Sequence, residues 1–151
     1  MNIKFKEANL QDAETILKIE KSVSSLTYHS CNSVNDIIKD YLRKGFLFLI
    51  LVDNKPAGII SYELIDQSFA YINGLIVTPE YQNQGIASKA LAFLLSILKE
   101  IEKIELVTHP QNTAALKLYS KYGFIVTGQK ENYYGDGEPR LILTKVNKKK
   151  L

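Results

Sequence analysis

Between Leu75 and Ser88 the chain reads LIVTPEYQNQGIAS: an apolar run, a proline, a polar loop, and a glycine that opens a stretch of helical periodicity. A strand that passes through a short loop to a helix N-terminus aims several main-chain N–H groups at one point, and the helix dipole makes that point attractive to anions. Gly85 lets the backbone approach a ligand, and Ala87 keeps the next contact small. The chemistry this suits is the holding of a pyrophosphate. Two other phosphate devices are absent, since the chain has neither a GxxxxGK[ST] loop nor a GxGxxG after a first strand. Taken alone, Gly85 also fits an ordinary helix start, so the reading depends on what surrounds it.

The surrounding elements read as alternating strands and helices. Residues 3–7 predict a strand, after which Asn9, with Asp12 three residues on, predicts a capped helix start. Ala13, Ile16, Leu17 and Val23 form the buried stripe of that helix. Ser33 and Asp36 repeat the device for a second helix that carries Ile37, Ile38, Tyr41 and Leu42 and stops at Gly45. Residues 46–52, 57–65 and 69–77 predict three antiparallel strands, joined through Asp53-Asn54-Lys55-Pro56 and Asp66-Gln67-Ser68. From Gly85 to about Lys99, Ala87, Leu91, Leu94, Leu95 and Leu98 recur at helical spacing, and residues 103–108 predict another strand. Asn112 caps a helix that ends at Gly123, with Ala115, Leu116 and Tyr119 on one side. Residues 124–134 and 140–146 predict a closing hairpin about Gly135-Asp136-Gly137.

Leu75 to Ala87 resembles the signature of the GNAT acetyltransferases, LxVxPxYxxxGIG, with its core [RQ]xxGx[GA]. Asn112-Thr113-Ala114-Ala115-Leu116-Lys117-Leu118-Tyr119, followed by Lys121, Gly123 and Phe124, is similar to the NxxAxxLYxKxGF stretch of the same family. The predicted element order agrees with the GNAT order as well. The resemblance implies an α+β fold in α/β/α layers, with a mixed, mostly antiparallel central sheet of about seven strands and about four helices. One domain would cover residues 1–146, followed by a basic tail at 147–151. It also implies acetyl-CoA as cosubstrate and an amine as acceptor. Carried over by position, Leu75 and Val77 offer backbone groups to the pantetheine arm, with Ile76 between them. Gln82, Asn83, Gln84, Gly85, Ile86, Ala87 and Ser88 surround the pyrophosphate, and Asn112 hydrogen-bonds the pantetheine while capping its helix. Gly74 sits where the family often bulges the strand, which would open the cleft in which acetyl group and amine meet.

Acyl transfer from a thioester to an amine needs a neutral amine, a polarised carbonyl and a proton for the departing thiolate. Backbone N–H groups near Leu75 or Ile76 suit the carbonyl oxygen. Tyr119 matches the family tyrosine assigned as general acid, although spacing alone also fits a packing residue. The base stays open: Val107 stands where some members, including the ribosomal-protein alanine acetyltransferases, carry a glutamate. Glu105, two residues earlier on the same strand face, is a base acting through water or a solvated charge, and His109 is a second candidate.

Asn132 to Glu138, NYYGDGE, resembles the YYxxGE segment of the alanine acetyltransferases that modify protein N-termini. The match departs at Pro139-Arg140, where that subfamily has Asp-Ala, and Thr27-Tyr28-His29-Ser30 lacks its Pro-Trp pair. The expected acceptor is a protein N-terminal α-amine, with Tyr28, Tyr133 and Tyr134 as candidates for the acceptor groove. Two alternatives stand beside it. One is a small-molecule amine (a polyamine, amino sugar or amino acid) met by Asp136 and Glu138, and the other is a coenzyme A-binding module without chemistry.

Composition bounds these readings. The 151 residues, 46% of them hydrophobic, suit one domain with its own core. Cys31 is the single cysteine, and no Cys/His cluster has metal-ligand spacing, so a reducing cytoplasm and a metal-free site are the expectations. No apolar run approaches the roughly 20 residues that span a bilayer, and the N-terminus lacks the apolar core of a secretory signal. Part of the +3 charge lies in Lys148, Lys149 and Lys150, a run rather than a structured basic face, so nucleic acid is not an expected partner. A monomer or homodimer is expected.

Overall fold

The computed structural model of the protein describes residues 1–23, 31 and 33–148; Thr27, Tyr28, His29 and Ser30, named above, lie outside them. Strands β1 (Ile3–Glu7), β2 (Phe46–Val52), β3 (Lys55–Asp66), β4 (Phe69–Val77), β5 (Lys103–Thr108), β6 (Ile125–Lys130) and β7 (Arg140–Val146) form one sheet in the order β1-β2-β3-β4-β5-β7-β6. All neighbours are antiparallel except β4 and β5. Helices α1 (Ala13–Ser22) and α2 (Val34–Ile37) cover one face, and α3 (Ile86–Ile97) and α4 (Thr113–Lys121) the other. This is the mixed seven-stranded α/β/α arrangement expected.

Each layer has its own core, because residues alternate between the two faces along every strand. Ile16 and Ile19 of α1 and Ile37 of α2 pack on Leu47, Leu49 and Ile59, while Ala90, Leu91 and Leu94 of α3 pack on Ile60, Ile72 and Ile104. A fully buried Leu or Ile contributes roughly 1.5–3 kcal/mol, so these stripes hold the helices to the sheet. The start of α1 follows the sequence. Asn9 Oδ1 accepts the Gln11 N–H at 2.8 Å and Asp12 Oδ2 the Asn9 N–H at 3.0 Å, a reciprocal cap that opens with a 3-10 turn, Leu10–Asp12.

Several expectations need correction. The second helix has one α turn and then a π-helical turn over Ile38–Leu42. Gly45 does not end it by a left-handed cap. It is glycine because a Cβ there would stand 2.2 Å from the Tyr62 carbonyl oxygen. The β2–β3 turn is two residues, Asp53 and Asn54, both at positive φ (48° and 67°), as a type I′ hairpin requires, and Lys55 and Pro56 already belong to β3. β6 ends at Lys130, so Tyr133 and Tyr134 lie in a nine-residue connection (131–139) and not in a tight hairpin. Positive φ at Asn132, Gly135 and Gly137 turns that segment away from extended pairing. Asn147, placed in the tail by sequence, donates from Nδ2 to the Leu98 and Ile101 carbonyls at 3.2 and 2.7 Å, tying the α3–β5 link to the end of β7.

Candidate active site

The site begins as a break in the sheet. β4 and β5 pair only over Phe69–Tyr71 against Lys103–Glu105. Beyond that, Ile72, Asn73, Gly74 and Leu75 on one side and Leu106, Val107 and Thr108 on the other line a narrow cleft of about 70 Å³. The opening has a local cause. Against β3, Ser61 pairs with Gly74 and Tyr62 with Ile72, so Asn73 is an extra residue, a bulge at the site that Gly74 marked. The bulge also resets the side-chain alternation: Ile72 and Ile76 have the same parity, yet Ile72 packs in the α3–α4 core and Ile76 in the α1–α2 core.

On the α3–α4 face the cleft meets a groove of about 440 Å³ that runs to the start of α3. Gly85 has φ 79° and opens α3 without a side-chain cap. The first helical bond joins Lys89 N–H to the Gly85 carbonyl at 3.2 Å, so the N–H groups of Ile86, Ala87 and Ser88 precede it. A Cβ on Gly85 would meet nothing within 4 Å, which leaves room for a ligand above the helix end. Leu75, Val77, Gln82, Asn83, Gly85, Ile86, Ala87, Ser88, Asn112 and Tyr119 all line this groove, and no carboxylate does among the described residues. These residues fit a pyrophosphate carrier. Gln84 lies outside the lining, with its Nε2 donating to the Glu80 carbonyl at 3.3 Å, and the Ile76 side chain is in the opposite core. Gln82 Nε2 donates to the Val77 carbonyl at 2.9 Å, closing the loop onto the strand. Ser88 Oγ lies 2.6 Å from the Tyr122 hydroxyl, which fastens the start of α3 to the end of α4.

Asn112 and Tyr119 line both groove and cleft. Asn112 Oδ1 accepts the Ala115 N–H at 3.3 Å, the expected cap. Tyr119 is 7% exposed and meets Phe124 edge to face at 5.5 Å, and burial raises its phenol above the ordinary tyrosine value. The packing reading holds, and Tyr119 is also among the residues that line the cleft and the groove.

On the α1–α2 face the cleft meets a second groove of about 390 Å³, which shares Asn73 and Tyr134 with it. Tyr133 and Tyr134 line this groove, the two rings 4.8 Å apart, with the Tyr71 hydroxyl 3.4 Å from that of Tyr133. Asp36, Asp40 and Glu63 add three carboxylates against one cation, Lys44. Sequence reasoning missed Tyr71, Asn73, Asp36, Asp40 and Glu63 as candidate site residues; Tyr71 and Asn73 stand near Gly74, Asp36 and Asp40 on the second helix and Glu63 on β3, where they read as strand and surface positions. Asp136 and Glu138, the acidic groups considered for an amine, are engaged elsewhere. Asp136 Oδ2 accepts from the buried Arg140 at 3.1 Å, and Glu138 Oε1 lies 2.9 Å from His109 Nε2. The bond from Glu138 N–H, with Arg140 beside it, holds the Asp136 carboxyl below the usual range.

The base candidates fall on either side of the cleft wall. His109 lines the cleft, but its Nδ1 accepts the Gln111 N–H at 3.0 Å, so the ring proton sits on Nε2 and is donated to Glu138. Both ring nitrogens are engaged, and the ring ties the Asn112 loop to the Tyr133–Tyr134 connection. Glu105 is outside the lining, 3.5 Å from Lys103, next to the point where β4 and β5 part.

The Acetyltransferase (GNAT) family model matches residues 13–124. The [Ribosomal protein bS18]-alanine N-acetyltransferase of Haemophilus ducreyi is 30% identical over 126 residues, covering 82% of this chain and 83% of that protein. The spermidine N(1)-acetyltransferase of Escherichia coli K12 is 27% identical over 88 residues, 54% of this chain. The chain spans less than half the length of this relative and of two others, 46%, 45% and 21%. In fold, the chain superposes on the ribosomal-protein-S18-alanine N-acetyltransferase of Escherichia coli with a TM-score of 0.85 and 21% identity, covering 99% of this chain and 97% of that one. With the family model spanning both the anion loop and the Asn112–Tyr119 helix on a split sheet of this topology, the chain belongs to the GNAT acetyltransferase family.

Proposed function

We propose that the protein transfers the acetyl group of acetyl-CoA to the N-terminal α-amine of a protein or peptide. One observation carries this reading: two grooves of opposite electrostatic character meet at one gap in the sheet. The groove at the α3 N-terminus has no carboxylate in its lining, which suits a pyrophosphate, and the groove on the other face has three, which suit an ammonium. The bS18-alanine relative supports a peptide amine as acceptor.

In this reading the amides of Ile86, Ala87 and Ser88 hold the pyrophosphate, and the main chain at Leu75 and Val77 and the Asn112 side chain hold the pantetheine arm. Acetyl-CoA supplies an acetyl group activated as a thioester. Tyr133, Tyr134 and the carboxylates position the amine, which enters as an ammonium and gives up one proton, through water, to Glu105. The amine lone pair forms a C–N bond with the thioester carbon while the C–S bond breaks. Main-chain N–H groups at the bulge stabilise the negative charge on oxygen. Tyr119 gives its phenolic proton to the sulfur and recovers one from the new amide nitrogen, so each turnover releases one proton, coenzyme A and the acetylated amine.

The test is incubation with acetyl-CoA and peptides bearing free or blocked N-termini, following thiol release and peptide mass. Addition of one acetyl group to free-ended peptides alone is expected. The acidic groove favours a second reading, acetylation of a polyamine, and preference for spermidine over every peptide in the same assay would replace the first.

A further inference from the structure

Asn73 is the extra residue of the β4 bulge and lines both the acidic groove and the cleft. Its Oδ1 is buried and has no hydrogen-bond partner. A buried carboxamide oxygen without a partner loses its hydration with no return from folding, so such atoms in native proteins ask for an explanation. Here the explanation is positional, because Asn73 lines both the acidic groove and the cleft through which, among the described residues, the two grooves meet. Building on the acetyl-transfer reading, we infer that Asn73 is a positioning residue whose Oδ1 accepts an N–H from the acceptor amine and aims its lone pair at the thioester.

The residue type suits the task. Asp36, Asp40 and Glu63 draw the amine in as an ammonium, yet the nucleophile is the neutral amine. A carboxylate at the passage would hold the proton on nitrogen, whereas a carboxamide oxygen accepts from either form and favours the charged one less. The bulge adds geometry: in a regular strand this position would pair against β3, whereas the inserted Asn73 is left out of that pairing and lines both the cleft and the acidic groove.

The test compares Asn73→Leu, Asn73→Asp and wild type, using a short alanine-initiated peptide and spermidine as acceptors. Asn73→Leu should lose roughly tenfold to a hundredfold in kcat/KM for the amine, with the dissociation constant of acetyl-CoA, measured by calorimetry, within about twofold. Asn73→Asp keeps the shape and an acceptor oxygen. Its kcat/KM should recover at high pH, with the rising limb of the pH profile displaced to higher pH because the added charge stabilises the ammonium. Peptide affinity for the coenzyme A-bound protein is read separately, so an amine that binds through Asn73 without being acetylated overturns the transfer reading and the aiming of the lone pair, and leaves only the hydrogen bond from the amine to Asn73 standing. Unchanged kcat/KM and affinity in Asn73→Leu, or an Asn73→Asp profile that falls uniformly without displacement, overturns the role given to Asn73.

Discussion

Tyr119 has the clearest fate among single residues. Burial raises its phenol, so the side chain keeps its proton at neutral pH, and in the proposed function that proton goes to the departing sulfur. Tyr119→Phe should lower kcat by about a hundredfold and leave acetyl-CoA affinity unchanged, as steady-state kinetics and calorimetry would read. In the wild type, kcat should stay level through the ordinary tyrosine value of about pH 10, because a raised value moves loss of the proton to higher pH. Cys31 makes a second case. Burial first, then the charges of Glu20, Asp40 and Asp36, push its thiol up to about 12. At pH 8 only about one thiol in ten thousand is then ionised, so alkylation by iodoacetamide should run far slower than for a free cysteine peptide. Tyr119 and Asn112 were singled out in the sequence by the resemblance of the stretch from Asn112 to Phe124 to a family motif, and both line the groove and the cleft. Asn73 was not, because its direction depends on a bulge that breaks the strand period, and no local pattern encodes which residue of a strand is inserted.

At the level of elements, the strand, loop and glycine-opened helix from Leu75 to Ser88 were read most fully from sequence, since the proline, the polar loop and the apolar period mark each boundary. Gly85→Asp would place a Cβ at φ 79° and a carboxylate over the α3 amides. Acetyl-CoA affinity should fall by at least tenfold, from strain and like-charge repulsion together, and a calorimetric titration reads it directly. Gly45→Ala tests a glycine whose reason was misread. The added Cβ collides with the Tyr62 carbonyl oxygen, so β2 and β3 must separate, and stability should drop by about 1–3 kcal/mol in a denaturant titration without change in acetyl-CoA affinity. The β6–β7 connection was the least legible element. Gly135-Asp136-Gly137 looks like a hairpin signal, but the Asp136–Arg140 and Glu138–His109 pairs hold a longer loop that presents Tyr133 and Tyr134 to the acidic groove. The Glu138–His109 pair joins positions 29 residues apart and leaves no periodic trace.

For the whole molecule, the sheet is, in the proposed function, the partition between two substrates. Among the described residues the two grooves meet at the cleft at the bulge, and the lining of that cleft includes no cysteine or serine to carry an acyl group. The proposed function takes the transfer as direct within a complex of both substrates, so double-reciprocal plots at several fixed acetyl-CoA concentrations should intersect. Parallel lines would indicate an acyl-enzyme instead. The order of strands and helices, and with it the α+β class, was readable because each element carries its own cap, turn or period. The electrostatic difference between the faces was not, since Asp36, Asp40 and Glu63 come together only after folding. All of this rests on the α3 N-terminus being a seat for the diphosphate of a thioester carrier. Isothermal titration of the purified protein with acetyl-CoA tests that seat most directly: one site per chain with micromolar affinity is predicted, and a folded protein showing no binding at millimolar ligand would contradict the account.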